Sequence, residues 1–143
     1  MADRHYVGNN ITLSRLRIES EEGVVQFIIL TNLVSGIIFW TMEKRKPHYN
    51  LKEVKTVVSD PNSHPFTATA RSGGIALGLT PQEMREVVLA ISPSDFVKSM
   101  TTKLDNKVWQ DVYHGSTPSG DSVYIKITGY TDGRPPVISF KEK

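Results

Sequence analysis

SVYIKITGY, residues 122–130, is the stretch that decides the fold. Alternate side chains of an extended chain point to opposite faces, so Val123, Ile125 and Ile127 lie on one side and Tyr124, Lys126 and Thr128 on the other. A strand with one apolar and one polar face belongs to an antiparallel sheet that packs on one side only. PPVISFKEK, residues 135–143, repeats the pattern, with Ile138 and Phe140 toward the core and Val137, Ser139 and Lys141 opposite. Upstream, DFVKSMTTKLDNKVWQDVYHG, residues 95–115, supplies two more strands that alternate less cleanly. Phe96, Lys98, Met100 and Thr102 share a side of the first. In the second, Gln110, Val112 and His114 oppose Trp109, Asp111 and Tyr113.

If those sets align, one face carries Lys98, Met100, Gln110, His114, Tyr124, Lys126, Ser139 and Lys141, with no carboxylate. Such a face suits a phosphate-bearing polymer: the lysines neutralise charge, while Tyr124, His114 and Met100 offer platforms for bases. Lys, Thr and Tyr are equally the residues that keep a strand surface soluble, so parity alone leaves a solvated face and an anion-binding face both open.

Two amphipathic helices precede the strands. In YNLKEVKTVVS, residues 49–59, Leu51, Val54, Val57 and Val58 recur at helical spacing and Asn50 is placed to cap them. The turn cluster Asp60–Pro65 ends that helix, and Phe66–Thr69 is read as a brief strand. TATARSGGIALGL is weakly helical at best, because Gly73 and Gly74 each cost about 1 kcal/mol relative to alanine. Thr80-Pro81-Gln82-Glu83 is a capping-box start for a helix carrying Met84, Val87, Val88 and Ile91, stopped at Ser92-Pro93. Helices followed by a run of strands make an α+β domain with an antiparallel sheet and the helices on one face.

Residues 1–41 differ in character. Val24–Trp40, VVQFIILTNLVSGIIFW, is almost wholly apolar, yet it is shorter than the ~20 residues a membrane helix needs and includes Gln26, Asn32 and Ser35. The acidic ESEEG before it is wrong for a signal peptide. Richness in β-branched residues favours buried strands. A compact domain can be read from Met42 onward, which marks 1–41 as an N-terminal extension, or as the product of an over-early start with the native chain beginning at Met42.

Composition excludes several chemistries. The chain has no cysteine, so thiolate metal sites, thiol catalysis and disulfides are ruled out. His5, His48, His64 and His114 show no ligand spacing, so neither a metal site nor a cofactor is expected. The formal charge is +2 with a pI of about 8.9, which permits an anionic partner without demanding one. Only three of the 17 basic side chains fall in residues 1–41, against four of the 15 acidic ones, so the basic excess belongs to residues 42–143.

MEKRKPHYNLKEVKTVV (42–58), SPSDFVKSMTTKLDNKVWQDVYH (92–114), VYIKITGY (123–130) and ISFKEK (138–143), in that order, closely resemble the MqsR family of bacterial toxins, which are RelE-like messenger-RNA interferases. The resemblance covers residues 42–143. It implies a cytoplasmic toxin of a type II toxin-antitoxin system, with roles in stress response, dormancy and persistence. The activity implied is a ribosome-independent, metal-independent endoribonuclease cutting single-stranded mRNA at GCU-like sites. The family's catalytic residues fall on Lys98, Gln110, Tyr124 and Lys141, all members of the face deduced from parity. Met100, His114 and Lys126 beside them are candidates for RNA binding.

The implied chemistry is attack of the ribose 2′-hydroxyl on the adjacent phosphorus, leaving a 2′,3′-cyclic phosphate. Lys98 and Lys141 would stabilise the growing charge, Tyr124 would orient the phosphate or assist proton transfer, and Gln110 would hold substrate. A lysine serves as base only if its pKa falls far below about 10.4, so a slow, electrostatically driven enzyme is expected. The implied partner is an MqsA-like antitoxin, dimeric, zinc-binding and DNA-binding. The toxin alone would be a monomer and the complex a heterotetramer, docked by strand addition at a sheet edge. The alternative is a non-catalytic RNA- or protein-binding module using the same face. The chain departs from the family pattern at His114, where an arginine is common, at Val97, where tyrosine is familiar, in the longer turn between Gly115 and Asp121, and at Gly73-Gly74.

Overall fold

The computed structural model describes residues 2–6, 11–20, 23–32, 36–129 and 137–143. Tyr130, Pro135 and Pro136, counted with the strands on sequence, lie outside the described residues, as does Ser35. The architecture is α+β, with antiparallel strand pairing throughout the named ladders. Two compact units divide the chain, Met1–Lys46 with Lys98–Trp109, and Pro47–Val97 with Gln110–Lys143.

The first unit is a meander of β1 (Ala2–Tyr6), β2 (Ile11–Ser20), β3 (Gly23–Asn32) and β4 (Gly36–Lys44), with β4 pairing onto β5 (Phe96–Thr101) through Glu43↔Met100 and Lys44↔Ser99. The apolar stretch thus forms strands, as its β-branched content indicated, and β4 runs through Met42 without a break. The backbone N–H of Met42 donates to Thr101 Oγ1 at 2.8 Å. Among the described residues no helix is long and apolar enough to cross a membrane.

The second unit contains α1 (Leu51–Ser59), α2 (Ala68–Ala76), α3 (Pro81–Ala90), a 3-10 turn at Pro93–Asp95, and the strands β6 (Trp109–Ser116), β7 (Ser122–Thr128) and β8 (Val137–Glu142). Asn50 caps α1 by accepting from Lys52 N at 3.0 Å. Thr80 and Glu83 close the capping box that opens α3. The last turn of α1 would leave carbonyls unpaired in a helix standing alone. Arg85 of α3 answers one of them, Val58, and donates also to the carbonyls of Asp60 and Ser63 in the turn that follows.

The glycines of α2 require a correction to the sequence reading. Ala68–Ala76 is a helix in spite of them, opened by Thr67, whose hydroxyl accepts from Ala70 N at 3.0 Å. A Cβ on Gly74 would stand 2.4 Å from Met84 Sδ, and one on Gly73 3.2 Å from the Phe140 carbonyl. Close packing therefore selects glycine here, and it outweighs the helix propensity lost. The strand expected over Phe66–Thr69 shrinks to one parallel bridge, Phe66↔Ile138, because helix α2 begins two residues on.

The core is one cluster. Val54 and Val58 of α1, Ala70 of α2, and Met84, Val87 and Val88 of α3 join Tyr113, Val123, Ile125, Ile127, Ile138 and Phe140. The strand members are the inward sets that parity gave. One inward residue of β6 is a carboxylate: Asp111 is fully buried and accepts from His48 N at 2.9 Å through each of its oxygens and from Tyr49 N at 2.8 Å. Burial, with the Asp111 charge adding to it, pushes the Tyr113 hydroxyl up to about 12. The ring of Tyr49 lies so close to Gly129 that a Cβ there would sit 2.4 Å from Tyr49 Cε1.

Asp111→Asn keeps the shape but removes the charge and turns one acceptor into a donor facing N–H groups. Each buried donor left without a partner costs about 1–3 kcal/mol, so the variant should lose about 3 kcal/mol. The midpoint of urea unfolding should fall with its slope unchanged. A second expectation concerns acid. Hydrogen bonds from the Thr80 backbone and hydroxyl hold Glu83 below its usual value, and those from the Ser92 backbone and hydroxyl do the same for Asp95. Their contribution to stability is complete above the unfolded values of 4.5 and 3.8 and is lost as pH falls through the lower folded ones. Unfolding measured from pH 6 to 2 should therefore show a shallower acid slope for the Glu83→Gln, Asp95→Asn double variant than for the parent, where pH 6 to 2 is roughly the range over which carboxylates titrate.

Candidate functional site

The open face of the second unit is built by register. His114 lies opposite Tyr124, and Tyr124 opposite Lys141, so the three form one row across β6, β7 and β8. The next row is Val112, Lys126 and Ser139, and the one after it begins Gln110, Thr128. Directly opposed residues in antiparallel strands have Cβ atoms about 5 Å apart, and consecutive rows on a face are about 7 Å apart. Gln110, His114, Tyr124, Lys126 and Lys141 therefore share one small field, as the alternation required. Their inward neighbours, Asp111, Tyr113, Val123, Ile125, Ile127 and Phe140, are all buried.

Ring contacts orient this row. The His114 and Tyr124 rings meet edge to face with centroids 5.0 Å apart. Lys143 Nζ stands 6.0 Å from the Tyr124 centroid, at the outer range of a cation–π contact. His114 Nε2 is buried and makes no hydrogen bond among the described residues. The imidazole borders a cavity of about 360 Å³ walled by the end of α3, by Asp95 and by Ser116, Ser122 and Lys143. The charge of His114 adds to the Ser92 hydrogen bonds in holding Asp95 below its usual value, so carboxylate and imidazole lie within electrostatic reach. Asp95 and Lys143 escaped the sequence reading, which followed strand alternation and had no means of placing a turn residue or a chain end.

Lys98 and Met100 belong to the first unit, on β5. There the structure overturns one expectation, that of a face without carboxylates. Glu43 on β4 lies opposite Met100, and its Oε2 accepts from Lys98 Nζ at 2.7 Å. The Lys98 side chain is 33% exposed and that of Glu43 12%, so this is a partly desolvated ion pair rather than a surface one. The alternation Thr41, Glu43 against Met42, Lys44 in TMEK was the available signal. It went unread because β4 was not joined to β5 on sequence. Lys44 itself turns the other way and stands 4.4 Å over the Trp109 ring.

Arranged so, the second unit offers a tyrosine in one row between an imidazole and an ammonium, with a further ammonium and an amide in the neighbouring rows. That set can bind an anion, donate hydrogen bonds to it and pass a proton. Among the described residues no group of three or more His, Cys, Asp or Glu side chains is placed to hold a metal ion.

Two comparisons bear on this face. A family profile described as "Motility quorum-sensing regulator, toxin of MqsA" matches residues 46–142, more than half of the chain. The chain is also 43% identical over 102 residues to the mRNA interferase toxin MqsR of Escherichia coli (strain K12), a match that takes in 71% of this chain and 100% of that relative. The matched segment contains Lys98, Gln110, Tyr124 and Lys141 together with all of α1–α3 and β5–β8. The chain belongs to the MqsR toxin family.

Proposed function

We propose that this protein is the toxin of a type II toxin-antitoxin pair, an endoribonuclease that cleaves single-stranded mRNA and so arrests growth. Residues 42–143 form its RelE-like interferase domain and residues 1–41 an extension of it. The observation that carries the reading is the single row of His114, Tyr124 and Lys141 across three strands, in a chain 43% identical to an mRNA interferase. It acts in the cytoplasm, without the ribosome, on GCU-like sequences.

The substrate brings its own nucleophile. A ribose 2′-oxygen forms a bond to the adjacent phosphorus, the bond to the 5′-oxygen breaks, and the products are a 2′,3′-cyclic phosphate and a 5′-hydroxyl. The 2′-hydroxyl gives up one proton and the leaving oxygen takes one. The protein's work is alignment and stabilisation of the charge that grows on the phosphorane oxygens. Lys141 supplies positive charge, and Lys98, held by Glu43 at 2.7 Å, is a further cation offered to the RNA. Tyr124, held by the edge of His114 and the ammonium of Lys143, orients the phosphate and relays a proton. Gln110 donates to the substrate, Lys126 meets a neighbouring phosphate, and Met100 and His114 contact bases. No metal enters this scheme.

The partner we assign is an MqsA-like antitoxin, a zinc- and DNA-binding dimer that joins two toxin monomers in a heterotetramer. β8 is the strand we assign to its docking by strand addition. One turn of that edge is taken already: Ile138 N donates to the Pro65 carbonyl at 2.7 Å and Thr67 N to the Ile138 carbonyl at 3.2 Å.

The test is induced expression with a growth readout, followed by cleavage assays on purified variants. Wild type should arrest growth, and co-expression of the antitoxin should relieve the arrest. Tyr124→Phe and Lys141→Ala should each lower cleavage roughly 100- to 1,000-fold while retaining the parent's circular dichroism, the range expected when one proton-transfer group or one charge-stabilising group is removed. RNA binding without growth arrest or cleavage would instead identify a passive binding module.

A further inference from the structure

We infer that strands β2, β3 and β4 build a phosphodiester-binding subsite beside Lys98, through which residues 1–41 hold a further length of the same single-stranded RNA. The inference rests on the function proposed above. Its observations are all internal to the first unit. A cavity of about 280 Å³ is lined by Arg17, Val24, Gln26, Glu43, Lys44 and Arg45. Register explains the grouping: Arg17 lies opposite Gln26, and Gln26 opposite Glu43, so β2, β3 and β4 place an arginine, an amide and a carboxylate in one row. Arg45 and Lys44 follow from the end of β4.

The electrostatics favour an anion. Two guanidinium groups, Arg17 and Arg45, face one carboxylate, and that carboxylate is already engaged by Lys98 at 2.7 Å. Glu43 thus walls the cavity on one side and holds Lys98 on the other, so a strand of RNA bound at Lys98 passes next to the cavity. Arg17 pairs only loosely with Glu19, at 3.6 Å and with both side chains exposed, an arrangement worth little and easily exchanged. A guanidinium matches two phosphate oxygens at once, which makes phosphate the better partner. Gln26 adds a neutral donor to the same row. All six lining residues lie outside the residues 46–142 that the family profile matches, so the subsite would be an addition to the matched segment.

The experiment uses the full chain and a fluorescent RNA of about 12 nucleotides, within the usual span of a single-strand site. Deoxyribose at the GCU step prevents cleavage. Arg17→Gln should weaken binding roughly 5-fold at low salt and reduce the slope of log K against log salt by about 0.7, the loss of one phosphate contact. Arg17→Lys should keep the slope. An oligonucleotide of about three residues centred on GCU, too short to reach a second site, should bind parent and variant alike. Inorganic phosphate at millimolar levels should not displace the longer RNA, since the contact belongs to the polymer. Equal affinity and equal slope for parent and Arg17→Gln, with the parent binding RNA tightly, would overturn the subsite alone. A parent that fails to bind either oligonucleotide would overturn the proposed function with it.

Discussion

The buried carboxylate of Asp111 is the contact on which the site-bearing unit depends. It sits on the inward side of β6 and takes the backbone N–H groups of His48 and Tyr49, so the chain entering α1 is tied to the middle of the strands. That tie sets where α1 begins, and α1 then delivers Val54 and Val58 to the core. Charge-assisted bonds of this kind are worth about 1.5–3 kcal/mol each, and they satisfy a group that burial alone would penalise heavily. The neighbours of Asp111 in sequence, Gln110 and Val112, point outward. A single strand therefore anchors the helices with Asp111 and sets Gln110 on the opposite face.

The same alternation explains why so much was legible in the sequence. The inward sets of β7 and β8 were readable because every second residue is apolar there. The outward set, Tyr124, Lys126, Ser139 and Lys141, followed automatically. The caps at Asn50 and Thr80 were readable because each rests on a local rule. What failed to read was long-range. Asp111 looks like a surface acid until its partners 62 and 63 residues away are known. Glu43 is 55 residues from Lys98. Gly73 and Gly74 looked like helix breakers because a propensity argument cannot see Met84 and the Phe140 carbonyl pressing on them. Arg85, which closes α1 from a different helix, was invisible for the same reason.

In the proposed reaction the substrate supplies the nucleophile, and for that a strand face is sufficient architecture. The rows of an antiparallel ladder are about 7 Å apart, close to the repeat of an extended polynucleotide backbone, so side chains on successive rows can follow successive phosphates. The face needs cations, one group able to move a proton, and rigidity. Packing against the core provides the last of these, since Tyr124, Lys126 and Ser139 each have a buried neighbour on either side in sequence. His114 stands at the β6 end of the row that Tyr124 and Lys141 continue. Its imidazole sets an aromatic edge against Tyr124, with ring centroids 5.0 Å apart.

The central proposal is that Tyr124 and Lys141 promote cleavage of RNA by its own 2′-hydroxyl. The most direct measurement is end-group analysis of a GCU-containing RNA incubated with the purified protein in excess EDTA. The account predicts cleavage that persists under chelation, with a 2′,3′-cyclic phosphate on the upstream fragment and a 5′-hydroxyl on the downstream one. A 3′-hydroxyl with a 5′-phosphate, or cleavage abolished by EDTA, would contradict it.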